Sequence, residues 1–159
     1  MAELVRKYLV VADDTPECRV AAHVAARRAK HSDKGRVLII AVIEPTHFHH
    51  WLGVNDDINR EQREHYEALA QELADIVSSE IDHPAEIVFR EGEVRPCVRA
   101  LIEEDPEIKV LVLGADPGRK GPGPLVSLVS RGGFAFGERH IPVLIVPGDL
   151  TAEAIRDLA

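Results

Sequence analysis

Two stretches of the chain combine residue types that can hold an anion. The first is Gly114-Ala-Asp-Pro-Gly-Arg-Lys-Gly-Pro-Gly-Pro-Leu-Val-Ser127, directly after an apolar run. Six of the 11 glycines fall between Gly114 and Gly133. The same window holds Arg119, Lys120 and Arg131 against Asp116 alone, a local +2 in a chain of formal charge -8. Glycine lets backbone N–H groups approach a ligand closely, and the start of a helix adds about half a positive charge, so phosphate is the natural guest. Ser127 and Ser130 can add hydroxyl donors. A plain surface turn, in which glycine and proline serve only the backbone, accounts for the same residues. The second stretch, Asp13-Asp14-Thr15, also ends an apolar run; Asp13 suits a helix start as readily as a metal.

Two phosphate loops are excluded by inspection. Gly118 and Gly123 have the spacing of a Walker loop, but Pro124-Leu125 stands where Lys and Ser or Thr are required. Gly121-Pro-Gly123 is followed by Val126 in place of a third glycine and does not open the first crossover, which leaves a dinucleotide fold unsupported. No residue near the loop is an evident base or transition-state cation, so binding without efficient turnover is expected, with a slow ATPase as the weaker alternative. A third group, His47-Phe-His-His50-Trp51 with Asp56, Asp57 and His65 beyond, has ligands that suit zinc or nickel. Its place on a predicted loop denies those ligands rigid support, and a solvated loop with Trp51 packed against a neighbour is the expectation.

The elements that must position these residues follow from patterning. Apolar runs at 8–12, 37–43 and 109–114, a shorter one at 85–90 and a last one at 143–146 read as strands, most of them buried on both faces. Thr15 as a cap and Pro16 in the first turn open a helix that runs to about Lys30. Residues 46–59 read as a loop, and Leu69, Leu73, Ile76 and Val77 then form one stripe on a helix of about five turns. Val98, Leu101 and Ile102 mark a third helix, ended by Asp105-Pro106, and 125–129 begin a fourth. Each strand is separated from the next by a helical segment with no hairpin signal, so right-handed crossovers demand a mostly parallel sheet covered on both faces. Ligands of such sheets bind outside the carboxyl ends of the strands, where strand order reverses, which brings the loops after the first and fourth strands together.

The 159 residues bound the answer to one domain over 1–148, with a short extension at 149–159 in which Ile155 and Leu158 could dock or the tail could fray. A charge of -8 without a basic stripe argues against nucleic acid. No apolar run approaches the roughly 18 residues of a membrane span, and the start lacks a signal-peptide core, so a cytoplasmic protein is expected. Cys18 and Cys97 read as small buried hydrophobes.

Val-Val-Ala-Asp13-Asp14-Thr15, Ala41-Val42, the Gly-rich loop and Ile-Pro-Val-Leu-Ile-Val-Pro147 together resemble a universal stress protein, over residues 8–147. The resemblance implies a Rossmann-like α/β fold of the adenine nucleotide alpha hydrolase type. It implies an open five-stranded sheet in the order 3-2-1-4-5, a dimer, and a family divided into ATP-binding and non-binding members. By position, Asp13 matches an aspartate near the adenosine, Val42 the residue whose main chain meets adenine, and Gly114 the first glycine of a phosphate motif. The motif then departs: Pro117 stands where the second glycine belongs, and Val129-Ser130 or Arg131 where the last glycine belongs. The candidate nucleotide contacts are Ala12, Asp13, Asp14, Thr15, Val42, Gly114, Ala115, Gly118, Arg119, Gly121, Gly123, Ser127 and Ser130. The expected ligand is ATP or a related adenine nucleotide, with Mg2+. The expected partner is a second copy paired along Val143, Leu144, Ile145 and Val146, since a bare apolar edge invites pairing. A dimeric interaction module that binds no nucleotide is the rival reading.

Overall fold

A computed structural model describes residues 4–45, 54–118, 121–130 and 138–159. Five strands, β1 (Arg6–Val11), β2 (Gly35–Ile43), β3 (Glu86–Glu91), β4 (Ile108–Ala115) and β5 (Val143–Pro147), form one sheet. Its order is β3-β2-β1-β4-β5, and every pairing is parallel. The expected α/β architecture and strand order are those observed, with β3 and β5 at the two edges.

Side chains of a strand alternate between faces, and here both faces are covered. Val10, Ile39, Ala41 and Val112 enter one core with α1 (Pro16–His31) and α2 (Val54–Glu80). Leu9, Val11, Leu38, Ile40, Leu111 and Leu113 enter the other with α3 (Val94–Glu104) and α4 (Pro124–Ser130). Burying each such Leu or Ile stabilises the fold by about 1.5–3 kcal/mol, which explains why the central strands read as unbroken apolar runs. Ala21, Ala22, Ala25, Ala26 and Ala29 are buried on α1, and their small side chains bring that helix close to the sheet.

Local signals set the helix ends. Thr15 Oγ1 accepts from the Cys18 amide at 3.2 Å, with Pro16 as the first helical residue. Asp105 ends α3 just before Pro106, as the sequence implies. Arg139 reaches back to that end and donates to the carbonyls of Ile102, Asp105, Pro106 and Ile108. It thereby pins the approach to β5 against the α3–β4 turn.

Two sequence expectations need correction. Residues 54–59 are helical, because α2 begins at Val54 and spans 27 residues where about five turns were expected. Its first turns are poor in strong helix formers, but Asp57 suits the positive end of the helix and pairs with Arg60 at 3.1 Å, while its apolar stripe begins only near Tyr66. Cys97 is half-buried, with its thiol toward the Glu91 carbonyl, whereas Cys18 is buried as expected. Residues 46–53, which include His47, His49, His50 and Trp51, lie outside the described residues.

The extension folds rather than frays. Thr151 caps α5 (Ala152–Leu158) by accepting from the Ala154 amide, Ile155 is buried beside α1, and Arg28 donates to the Leu158 carbonyl.

Candidate functional site

In a parallel sheet all strands point their carboxyl ends the same way, and the loops that leave them enclose the site. Here those loops surround a cavity of about 730 Å³, within the roughly 300–1,000 Å³ of small-molecule sites. Its floor is Val10, Val11 and Ala12 from β1 and the chain after it, with Val112, Leu113 and Gly114 from β4. Asp13, Thr15 and Cys18 line it from the turn into α1, Val42 and Glu44 from the end of β2, and Tyr66 from α2. Glu93, Val94 and Arg95 come from the start of α3, and Gly121, Pro122, Gly123, Pro124, Leu125 and Val126 from the second half of the Gly-rich loop and α4.

Seven of the expected contacts therefore meet around one hollow as lining residues: Ala12, Asp13, Thr15, Val42, Gly114 and, from the loop, Gly121 and Gly123. Asp14 points elsewhere. Its carboxylate accepts from Arg19 at 2.9 Å and lies 3.3 Å from His65 Nε2, and the Arg19 hydrogen bond holds it below the usual carboxylate range. Arg19 also pairs with Glu72, so Asp14 ties the turn after β1 to α2. Ala115, Gly118 and Ser127 do not line the cavity. Arg119 lies outside the described residues, as do Lys120 and Arg131, and for Ser130 the backbone alone is described, as the last residue of α4.

The two classes of glycine differ in what they do. A Cβ on Gly114 would lie 2.2 Å from the Glu17 carbonyl oxygen, so this residue lets β4 pass against the first turn of α1. Gly121 and Gly123 have φ of 87° and 104° with open space where a Cβ would be. There the backbone conformation demands glycine, not crowding.

Several amides near the cavity are already partnered. The Gly118 amide donates to Asp116 Oδ1 at 2.8 Å, and the Asp13 amide meets Cys18 Sγ at 3.4 Å. Cys18 donates in turn to the Val11 carbonyl, and burial pushes its thiol up to about 11, so it shapes the turn as a neutral group. Pro122 and Pro124 stand at the wall, contribute no N–H and leave the hollow open. The amides of Gly121 and Gly123 have no partner among the described residues.

Sequence reasoning missed Glu44, Tyr66, Glu93 and Arg95. Burial, then the Asp13, Glu44 and Asp14 carboxylates, raise the Tyr66 phenol above its ordinary value. Glu44 and Glu93 follow the ends of β2 and β3, where the same rule that selected Asp13 and Gly114 applies. Tyr66 carried no such signal, since only the docking of α2 against α1 and β2 brings it to the cavity. Among the described residues no group of three His, Cys, Asp or Glu is placed to hold a metal ion, and no helix is long and apolar enough to cross a membrane.

A doubly wound sheet with its hollow at the reversal of strand order defines a ligand-binding α/β class. The Universal stress protein family model matches residues 5–147, and the chain belongs to that family. The structure is similar to universal stress protein UspA from Lactobacillus plantarum, with a TM-score of 0.70, 14% identity, and 92% of this chain and 99% of that one covered. It is similar to a universal stress protein in complex with cAMP, with a TM-score of 0.61, 16% identity and coverage of 92% and 99%. It is also similar to a universal stress protein family protein from Arabidopsis thaliana with AMP bound, with a TM-score of 0.53, 16% identity and coverage of 93% and 94%. At these identities the likeness is one of fold. No curated protein matches the sequence.

Proposed function

We propose that this protein binds an adenine nucleotide, ATP or a relative of it, in the hollow between the turn after β1 and the loop after β4. The observation that carries this reading is the convergence of Asp13, Val42, Gly114, Gly121 and Gly123 on one cavity of about 730 Å³. Apolar walls from Val10, Val42 and Leu113 suit a purine, and the unpartnered amides of Gly121 and Gly123 suit a phosphate. That two proteins of similar fold were solved with cAMP and AMP supports the choice of base. Mg2+ would travel with a bound triphosphate and neutralise part of its charge; Asp13, which lines the hollow, would be the carboxylate to meet it.

Freshly purified protein, denatured and chromatographed, is expected to release an adenine nucleotide, and added ligand is expected to raise the melting temperature. Binding to the native state alone stabilises by about 2.7 kcal/mol at a hundredfold excess over Kd. No release and no shift at millimolar ATP, AMP and cyclic AMP would favour the nucleotide-free interaction module. Phosphate release that Asp13→Ala abolishes would favour an ATPase instead.

The protein also pairs with a second copy along β5. That strand has β4 as its single neighbour, Ile145 is 41% exposed, and α5 docks on α1 without covering it. Sedimentation should give a dimer for the wild type and a monomer for Ile145→Asp; a wild-type monomer at ~100 μM would refute the pairing.

A further inference from the structure

We infer that the hollow ranks adenine ligands by charge, taking a neutral nucleoside or singly charged cyclic mononucleotide ahead of a metal-free triphosphate. This rests on the adenine reading above and adds a rule about which member of the class is held. Among the described residues the lining carries five carboxylates, Asp13, Glu17, Glu44, Glu93 and Asp116, against Arg95 as its cation. Counting Arg119, Lys120 and Arg131 of the Gly-rich window from the sequence as well still leaves acids ahead by one. Asp13, Glu17, Glu44 and Glu93 pair with no base among the described residues, whereas Arg19, Arg27, Arg90 and Lys7 are engaged elsewhere.

Among the described residues, some of the loop's donors are already taken or missing. Asp116 already occupies the Gly118 amide, and Pro117, Pro122 and Pro124 offer none. Among the described residues Gly121, Gly123, Leu125 and Val126 supply four unpartnered amides, neutral donors that leave the balance of formal charges unchanged. Tyr66 lines the same hollow, and burial first, then the Asp13, Glu44 and Asp14 carboxylates, raise its phenol. Charges a few to ten ångströms apart at a partly solvated site still interact appreciably within the Debye length of about 10 Å. A ligand with three extra negative charges should therefore bind at least about tenfold more weakly at low salt. Mg2+, by removing two of those charges, should recover part of the loss.

The test is calorimetric titration of the full chain with adenosine, cyclic AMP, ATP in EDTA and ATP with Mg2+, each in low and high NaCl. Cyclic AMP is expected to bind at least about tenfold more tightly than metal-free ATP at low salt, with Mg-ATP between them. High salt and the double variant Glu44→Gln, Glu93→Gln should both narrow that gap. Both glutamates are exposed and neither side chain makes a cap or ion pair, so the fold is unaffected, as circular dichroism checks. Metal-free ATP binding as tightly as cyclic AMP, or a gap that neither salt nor the variant moves, overturns the charge rule alone. Binding of none of the four ligands, adenosine included, overturns the adenine reading together with it.

Discussion

Replacing Gly114 by alanine separates a glycine that serves packing from one that serves a ligand. The new Cβ would stand 2.2 Å from the Glu17 carbonyl oxygen, 2.5 Å from its carbon and 3.0 Å from the Cys18 amide nitrogen. All three are backbone atoms of the first turn of α1, so no side chain can swing aside. Relief to a normal contact of about 3.5 Å requires α1 to withdraw by roughly 1 Å from β4. Overpacking of this kind costs about 1–3 kcal/mol, and the backbone origin of the clash places Gly114→Ala near the upper end. For a chain of this length 1 kcal/mol moves the melting temperature by about 2–4 °C, so a fall of roughly 5–10 °C is expected in ligand-free protein. Gly121→Ala and Gly123→Ala meet no atom within 4 Å and bear only the left-handed backbone cost of about 1 kcal/mol. Differential scanning fluorimetry of the three variants without nucleotide reads the order directly. Gly114→Ala melting within 2 °C of the wild type, by the same scale of about 2–4 °C per kcal/mol, would refute the packing role.

Three further outcomes follow from the same contacts. Arg139→Ala should destabilise by about 2 kcal/mol in urea denaturation, because four carbonyls at the α3 terminus lose one guanidinium, and Arg139→Lys should recover less than half of that. For Glu80, burial disfavours the charge, but hydrogen bonds from His23 and Arg27 prevail and hold the carboxyl below its usual value. Its stabilising contribution is therefore present above the unfolded value near 4.3 and lost as pH falls through the folded one. Glu80→Gln should cost about 1–2 kcal/mol at neutral pH and progressively less in acid; a gap independent of pH would contradict the linkage. Alkylation of native protein near pH 8 should label Cys97 well before Cys18, whose thiol is buried and pushed up to about 11; mass spectrometry of early time points showing Cys18 first would contradict it.

Most of the sheet was legible because burial on both faces writes itself as unbroken apolar runs, and because Thr15-Pro16 and Asp105-Pro106 mark helix ends by local chemistry. The start of α2 was not, since Asp57 to His65 lies largely in solvent and solvated helix carries no apolar period. Half of the site followed from the rule that parallel strands present their carboxyl ends together, which selected Asp13 and Gly114. The same rule covers Glu44 and Glu93, but their strands lack a glycine-rich sequel to attract notice. Tyr66 was beyond reach, because its place depends on how a helix from elsewhere in the chain lies across the sheet. Glycine itself was ambiguous: one letter stood for close helix packing at Gly114 and for a left-handed backbone at Gly121 and Gly123.

The chain entering the Gly-rich loop is fastened on both sides of it. Ala115 still sits in register with Pro147 and accepts from the Gly148 amide at 2.8 Å, and Val126 and Val129 are anchored again in the core. Whatever is written across 116–123 hangs between two fixings that it does not itself supply. A recognition segment grafted there, or a library randomised over those positions, should leave the scaffold foldable while its specificity is rewritten.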